Sequence, residues 1–100
     1  MDIITTNIIH LFFKEQKKRS EIKQSLSKYS FVHNLSELKI GSHIRWIDIT
    51  QSPYNLCGVV MLINVSIEDT HVNITCKTFS NKFFKRRYDN LAIFKKFVEI

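Results

Sequence analysis

The sequence predicts an α+β protein, mainly β, in which an N-terminal helix precedes a small five-stranded antiparallel barrel. Residues 1–30 contain no Gly or Pro and are rich in helix-forming side chains after Phe13. From residue 31 onward, apolar and polar residues alternate with period two. Short strands joined by tight turns favour a closed barrel or a sandwich over an open sheet, because closure removes exposed strand edges. We therefore expect a helical segment over residues 1–30 and a β domain over residues 31–100.

The helical segment is expected to begin at one of the capping residues Thr5, Thr6 or Asn7. Its apolar stripe is interrupted between residues 15 and 19, so two short helices that meet at Ser20 also fit the pattern. Over residues 3–13 the apolar side chains cover more than one helical face, which is unusual for a helix with one side in water. The second face could wrap the β domain or dock on a partner or a second copy of the chain. We favour docking, through Ile4, Ile8, Leu11 and Phe12.

The β domain is expected to open with one helical turn in "NLSELKIG", where Asn34 caps the turn and Glu37 lies three residues later. The connections contain turn-forming residues: a loop around Pro53, then "EDTH", "SN" and "DNLA". The predicted strands cover residues 42–49, 57–67, 71–79, 82–88 and 93–98.

Alternation assigns side chains to the two faces of these strands. In the second strand one side is expected to hold Val59, Met61, Ile63, Val65 and Ile67. In the third strand one side is expected to hold Val72, Ile74 and Cys76. In the fourth strand Phe84, Arg86 and Tyr88 are expected opposite Phe83, Lys85 and Arg87.

The β segment resembles an SH3-like barrel of the Tudor or KOW kind over residues 38–98. The resemblance is carried by "LKIGSHIRWIDI", "GVVMLINV", an aromatic-basic strand and a final "IFKKF". More loosely, the chain is similar to small proteins of large DNA viruses that carry a G-x-x-I-R-[YW] strand followed by a Gly-apolar strand. The first resemblance implies a barrel that serves as a binding module. The second implies a virion or virus-factory component.

Residue patterns for catalysis, cofactors and metals are weak. The chain has no G-x-S-x-G elbow, and its two glycines are too far apart for a phosphate loop. Glu68 and Asp69 fall in a turn, where neighbouring side chains diverge. Four residues have zinc-binding atoms but lack C-x-x-C spacing: His43, Cys57, His71 and Cys76. We therefore expect a non-enzymatic protein with no cofactor, no metal and no small-molecule substrate.

The charge favours an acidic partner. The net charge is +6, and Lys supplies eleven of the fifteen cations, which suits diffuse attraction to phosphate better than bidentate recognition. Candidate nucleic-acid contacts fall in two clusters: Lys17, Lys18 and Arg19 in the helical segment, and Lys82, Lys85, Arg86, Arg87 and Tyr88 in the fourth strand. The alternative is a solvated strand whose lysine stems cover its own rings. A methyl-cation reader would instead use an aromatic cage from Trp46, Tyr54, Phe79, Phe83 and Tyr88.

Two cysteines without a secretory context predict an intracellular protein, cytoplasmic or nuclear. The N-terminal apolar run ends at Phe13, short of the roughly 20 residues of a membrane span. The favoured interpretation is a structural or accessory interaction module that docks through its N-terminal helix onto a protein partner or a second copy. The first alternative is a nucleic-acid-binding accessory protein, and the second is a methyl-cation reader.

Overall fold

A computed structural model describes residues 1–97 and confirms the α+β, mainly β, class. The described residues form two α-helices and six strands, with 3-10 turns at Leu35–Glu37 and Tyr88–Asn90. In chain order the elements are α1 (Ile3–Phe12), α2 (Gln16–Ser25), β1 (Tyr29–Phe31), β2 (His43–Asp48), β3 (Val60–Glu68), β4 (His71–Lys77), β5 (Phe83–Arg87) and β6 (Leu91–Lys96).

The strands form one antiparallel sheet in the order β1-β6-β2-β3-β4-β5. The prediction of five strands was wrong, because β1 lies in the segment expected to be helical. Tyr29 and Phe31 are aromatic β-formers, and they pair with Lys96 and Phe94 of β6. The sheet is also open rather than closed, since no pairing joins β1 to β5 within residues 1–97. Val98, the predicted end of the last strand, lies outside the described residues.

The helices begin and join at other residues than predicted. Asp2 is the N-cap of α1, and its carboxylate accepts a hydrogen bond from the Thr5 amide at 2.7 Å. The junction lies at residues 13–15, while Ser20 is inside α2. The chain can turn there because the Arg19 guanidinium donates to the carbonyls of Phe13 and His10, which satisfies the C-terminal end of α1.

Two hydrophobic clusters hold the fold together. The helix-side core lies between the helices and the β1-β6-β2 part of the sheet, and includes Ile9, Phe13, Leu26, Ile47 and Phe94. The inner core lies on the opposite face of the sheet, and includes Ile44, Trp46, Leu62, Ile74 and Cys76. β2 contributes to both clusters, so it is covered on its two faces.

The predicted faces of β3 were wrong, and a β-bulge is the reason. Leu62 pairs with Cys76 and Asn64 with Thr75, which leaves Ile63 as the extra residue. Val60 and Leu62 are buried before the bulge, whereas Val65 packs toward the inner core after it. The odd-numbered apolar residues of β3 therefore do not share one side, and Ile67 is 77% exposed.

The sheet curls strongly around the inner core. Trp46 of β2 and Phe84 of β5 stack edge to face with ring centroids 5.8 Å apart, although β3 and β4 lie between their strands. Three spacings of about 4.8 Å would separate those strands in a flat sheet. The helices lie on the other face of the sheet, over β1, β6 and β2, and we call the uncovered part of that face, on β3–β5, the outer face.

The predicted strand ends differ from the observed ones by up to three residues, but three other local predictions were accurate. Glu37 closes the turn after Asn34, since its carboxylate accepts from the amides of His33 at 2.6 Å and Asn34 at 3.2 Å. These bonds hold the pKa of Glu37 below its ordinary value. The "EDTH" hairpin turn has positive φ at Asp69 and Thr70. In β4, Ile74 and Cys76 are both fully buried, as alternation predicted.

Candidate nucleic-acid interface

The aromatic-basic strand β5 is divided between the two faces of the sheet. Phe84 packs against the inner core, whereas Phe83 is 63% exposed. Because direct cross-strand partners share a face, the pairs Lys77 with Phe83, Thr75 with Lys85 and Asn73 with Arg87 place these side chains on the outer face. The outer patch consists of Lys77, Phe83, Lys85 and Arg87, together with Phe79, which follows β4 and contacts the His43 ring edge to face.

The outer patch places apolar rings beside cations in water. Phe79 and Phe83 are 68% and 63% exposed. Lys85 forms an ion pair with Glu68 at 2.8 Å, and both side chains are about half exposed. Such surface pairs contribute only about 0–1 kcal/mol, so a phosphate can compete for the lysine. Glu68 also accepts a hydrogen bond from the Asn73 amide group, which anchors it to β4.

A basic groove lies at one end of the sheet, where β1 and β2 begin and β6 ends. This end groove has a volume of about 660 Å³. Its lining includes three lysines, one histidine and two apolar side chains: Lys28, Lys39, Ile40, His43, Lys96 and Phe97. No carboxylate belongs to the described lining. Gly41, at φ +91°, lets the chain turn into β2 while its amide donates to the Leu62 carbonyl at 2.7 Å.

His43 connects the end groove to the outer patch. Its ring lines the groove and also stacks edge to face on Phe79 at 5.7 Å. The strand register pairs His43 with Met61, Met61 with Lys77, and Lys77 with Phe83. These four residues form one cross-strand row over β2, β3, β4 and β5. The two basic-aromatic surfaces are therefore continuous.

Arg86 and Tyr88 lie away from this surface. The Arg86 guanidinium sits over the Phe84 ring, 4.9 Å from its centroid. Arg86 lines an inner groove of about 450 Å³ together with Trp46 and Asp48. Tyr88 is half-buried against the inner core, and this burial raises the pKa of its phenol. Of the two neighbouring arginines, Arg87 faces outward and Arg86 borders the inner groove.

The predicted basic cluster in the helices is separate from the outer patch. Lys18 lines a small groove with Phe12, Pro53 and Tyr54, on the helix side of the molecule. Lys17 is exposed nearby, at the start of α2. Arg19 is bonded to the end of α1, which makes it a structural residue. Lys82 is exposed in the turn that precedes β5, next to the outer patch.

The residues predicted for docking fall into two groups. Ile8 and Phe12 pack against the helix-side core, and the Phe12 ring contacts Tyr54 edge to face at 4.8 Å. Ile4 and Leu11 are 45% and 60% exposed, and Ile3 beside them is 77% exposed. An apolar strip of α1 is therefore left in water.

Both cysteines are free thiols; Cys76 is fully buried and Cys57 is half-buried. The Cys57 sulfur accepts from the Trp46 amide at 3.0 Å and donates to the Gly58 carbonyl at 3.1 Å. Burial raises the pKa of Cys57 to about 11 and that of Cys76 to about 12, so both stay protonated at neutral pH. Over residues 1–97 no three His, Cys, Asp or Glu side chains converge on a position for a metal ion. Neither described helix has the length and apolar character needed to cross a bilayer.

Sequence reasoning missed most of the end groove. Lys39, Ile40 and Phe97 come from segments far apart in the chain, and only the pairing of β1, β6 and β2 brings them together. Lys77 was missed because its position beside Phe83 depends on the register of β4 and β5.

Comparison with known proteins gives no match among family models, curated proteins or solved structures. The functional assignment therefore depends on the geometry of the chain itself.

Proposed function

We propose that this chain is a non-enzymatic nucleic-acid-binding module whose contact surface is the outer face of its sheet. The observation that carries the proposal is the outer patch, where Phe79 and Phe83 stand in water beside Lys77, Lys85 and Arg87. Rings that stack on bases beside cations that bind phosphate are the usual means of holding a nucleic-acid strand. The net charge of +6 adds long-range attraction to a polyanion.

We further propose that the β domain is an SH3-like barrel left open at one seam. Three features support this assignment: the β6-β2-β3-β4-β5 strand order, the 3-10 turn before β6, and the Trp46–Phe84 contact across the curled sheet. Location in a virion or virus factory is proposed from the sequence resemblance to proteins of large DNA viruses alone.

Binding of fluorescent oligonucleotides, followed by anisotropy over a series of salt concentrations, tests the nucleic-acid function. Each phosphate contact contributes about 0.7 to the slope of log K against log salt for a single strand and about 0.9 for a duplex. Arg87→Gln should lower the slope by about one contact. Arg86→Gln is the matched control, because it removes the same charge from the rim of the inner groove. Undetectable binding to single and double strands at low salt would refute the function.

A second candidate function is docking of a protein partner, or of a second copy, through α1. The supporting observation is the exposed strip of Ile3, Ile4 and Leu11. Deleting residues 1–13 is a poor test, because Ile9 and Phe13 are nearly fully buried in the helix-side core. The better variant is Ile4→Gln with Leu11→Gln, which leaves the core intact.

Light scattering on this variant tests the docking function. Full-length protein should self-associate, or bind its partner, and the double variant should not. Ile67→Gln is the control, because Ile67 is 77% exposed on the β3–β4 hairpin. A wild-type protein that stays monomeric and partnerless would remove support for docking.

The methyl-cation reader has the least support of the three functions. Tyr54 packs on Phe12 near the helices, while Phe79 and Phe83 are on the outer face. Trp46 is nearly fully buried in the inner core, on the other face of the sheet, so the predicted cage residues do not converge.

A further inference from the structure

The cross-strand row extends from the outer patch into the end groove. Ile44 pairs with Lys95, so the next position places His43 beside Lys96 on β6. Phe83, Lys77, Met61, His43 and Lys96 thus follow one another over five strands, which spans about 19 Å at about 4.8 Å per strand. Phe79 and Phe97 stand beside the row, at the His43 ring and in the end groove respectively.

This arrangement suits unpaired bases. Exposed phenyl rings can stack only on bases whose faces are open, and in a duplex those faces are already covered by neighbouring base pairs. The surface also lies on a curled sheet, which a flexible strand can follow. A duplex has a persistence length of about 150 base pairs and would touch only part of it.

The cations along the row favour phosphate contacts over reading of base edges. The end groove supplies Lys28, Lys39 and Lys96, and Arg87 is the arginine of the outer patch. Bidentate recognition of guanine is mainly a property of arginine, whereas lysine acts as a point charge. The row therefore supplies affinity with little sequence preference.

Building on the nucleic-acid function proposed above, we propose that the ligand is a single strand that runs from the outer patch along the cross-strand row into the end groove. Its bases stack on Phe83, Phe79 and Phe97. Its phosphates are bound by the lysines beside these rings, with Lys39 and Lys96 holding one end of the strand. DNA and RNA share this chemistry.

Four fluorescent probes of twelve nucleotides test the proposal: a dT strand, an rU strand, a duplex of equal length, and a dT strand with its bases removed. The dT or the rU strand should bind at least about 5-fold more tightly than the abasic strand, because stacking is lost with the bases. It should also bind more tightly than the duplex at the same salt concentration. Equal affinity for the intact and abasic strands would overturn the proposal while leaving phosphate binding, and so the proposed function, in place. No binding to any probe at low salt would overturn both.

The ring variant is Phe79→Leu with Phe83→Leu, which keeps apolar side chains but removes the stacking faces. Both rings are more than 60% exposed, so thermal unfolding should confirm that the fold is retained. Because two stacked bases are lost, affinity for the dT strand should fall by at least about 30-fold, with affinity for the abasic strand unchanged. Ile67→Leu is the control for a substitution elsewhere on the sheet. Unchanged dT affinity in the ring variant would overturn the proposal.

The groove variant is Lys39→Gln with Lys96→Gln. Removal of two phosphate contacts should lower the salt slope for the dT strand by about 1.4. The matched control is Lys17→Gln with Lys18→Gln, which removes the same charge at the far end of α2. Equal slopes for the two variants would overturn the placement of the strand in the end groove.

Discussion

Thr5 fastens the first helix to the edge of the sheet, and its removal gives a sharp test of the fold. Its side chain is fully buried. The Thr5 hydroxyl accepts a hydrogen bond from the Phe31 amide of β1 at 3.0 Å and donates to the Asp2 carboxylate at 3.0 Å. Thr5→Val keeps the shape of the side chain but leaves the Phe31 amide without its acceptor. An edge strand would then carry an unsatisfied, partly buried donor.

The expected loss follows from that donor. A buried polar group left without a partner costs about 1–3 kcal/mol. Because the Phe31 amide is only partly buried, we expect Thr5→Val to lower the free energy of unfolding by about 2 kcal/mol. For a domain of this size, 1 kcal/mol corresponds to about 4–8 °C in Tm, so Thr5→Val should lower Tm by about 8–16 °C. Circular dichroism during thermal and urea unfolding at neutral pH measures both quantities.

Thr6→Val is the matched control. The Thr6 hydroxyl donates to the Asp2 carbonyl in an exposed bond of 3.1 Å, so this change should stay within about 0.5 kcal/mol of wild type. If the two valine variants have the same stability, the Thr5–Phe31 bond does not hold α1 to β1, and the reasoning fails.

Three further predictions concern Phe94, the two cysteines and His10. Phe94→Ala should cost about 3–5 kcal/mol, because the ring is fully buried, and the urea midpoint should fall or folding be lost. Cys76 should resist maleimide at pH 8 until the chain unfolds, and the half-buried Cys57 should react more slowly than an unfolded thiol. Their raised pKa values also mean that only the unfolded thiols ionise as pH rises above about 9, so stability should fall there. The half-exposed His10 has an enclosed Nε2 without a hydrogen-bond partner in the described structure. Its pKa is lowered by desolvation and the nearby Lys23 cation, so stability should fall as pH drops below about 6.5, less so in His10→Leu.

Sequence reasoning succeeded where the determinants are local. The hairpin turn at Asp69, the Glu37 carboxylate that closes a turn on Asn34, and the buried face of Ile74 and Cys76 all depend on residues within a few positions of one another. The sequence also predicted which residues of β5 share a face. Which of the two faces is exposed to water could be assigned only from the register of β5 with β4.

Long-range pairing decides what the sequence could not predict. β1 forms because Tyr29 and Phe31 meet β6 near the other end of the chain, and three residues alone carry too little signal for a strand. The bulge at Ile63 reverses the alternation of a run that is apolar on both sides, so the pattern does not reveal it. The end groove forms only when all of these strands pair, so no short stretch of the sequence predicts it.

The strand order also has a consequence for the folding kinetics. β3, β4 and β5 are neighbours both in the chain and in the sheet, so their pairing closes only short loops and should be in place in the transition state. The β1–β6 pairing joins segments more than 60 residues apart, such as Phe31 with Phe94, and must overcome a larger loop-closure entropy. Substitutions in β3, β4 or β5 should therefore slow folding, whereas Thr5→Val should mainly speed unfolding. The outer patch would form early, and the end groove would be completed only in the last step of folding.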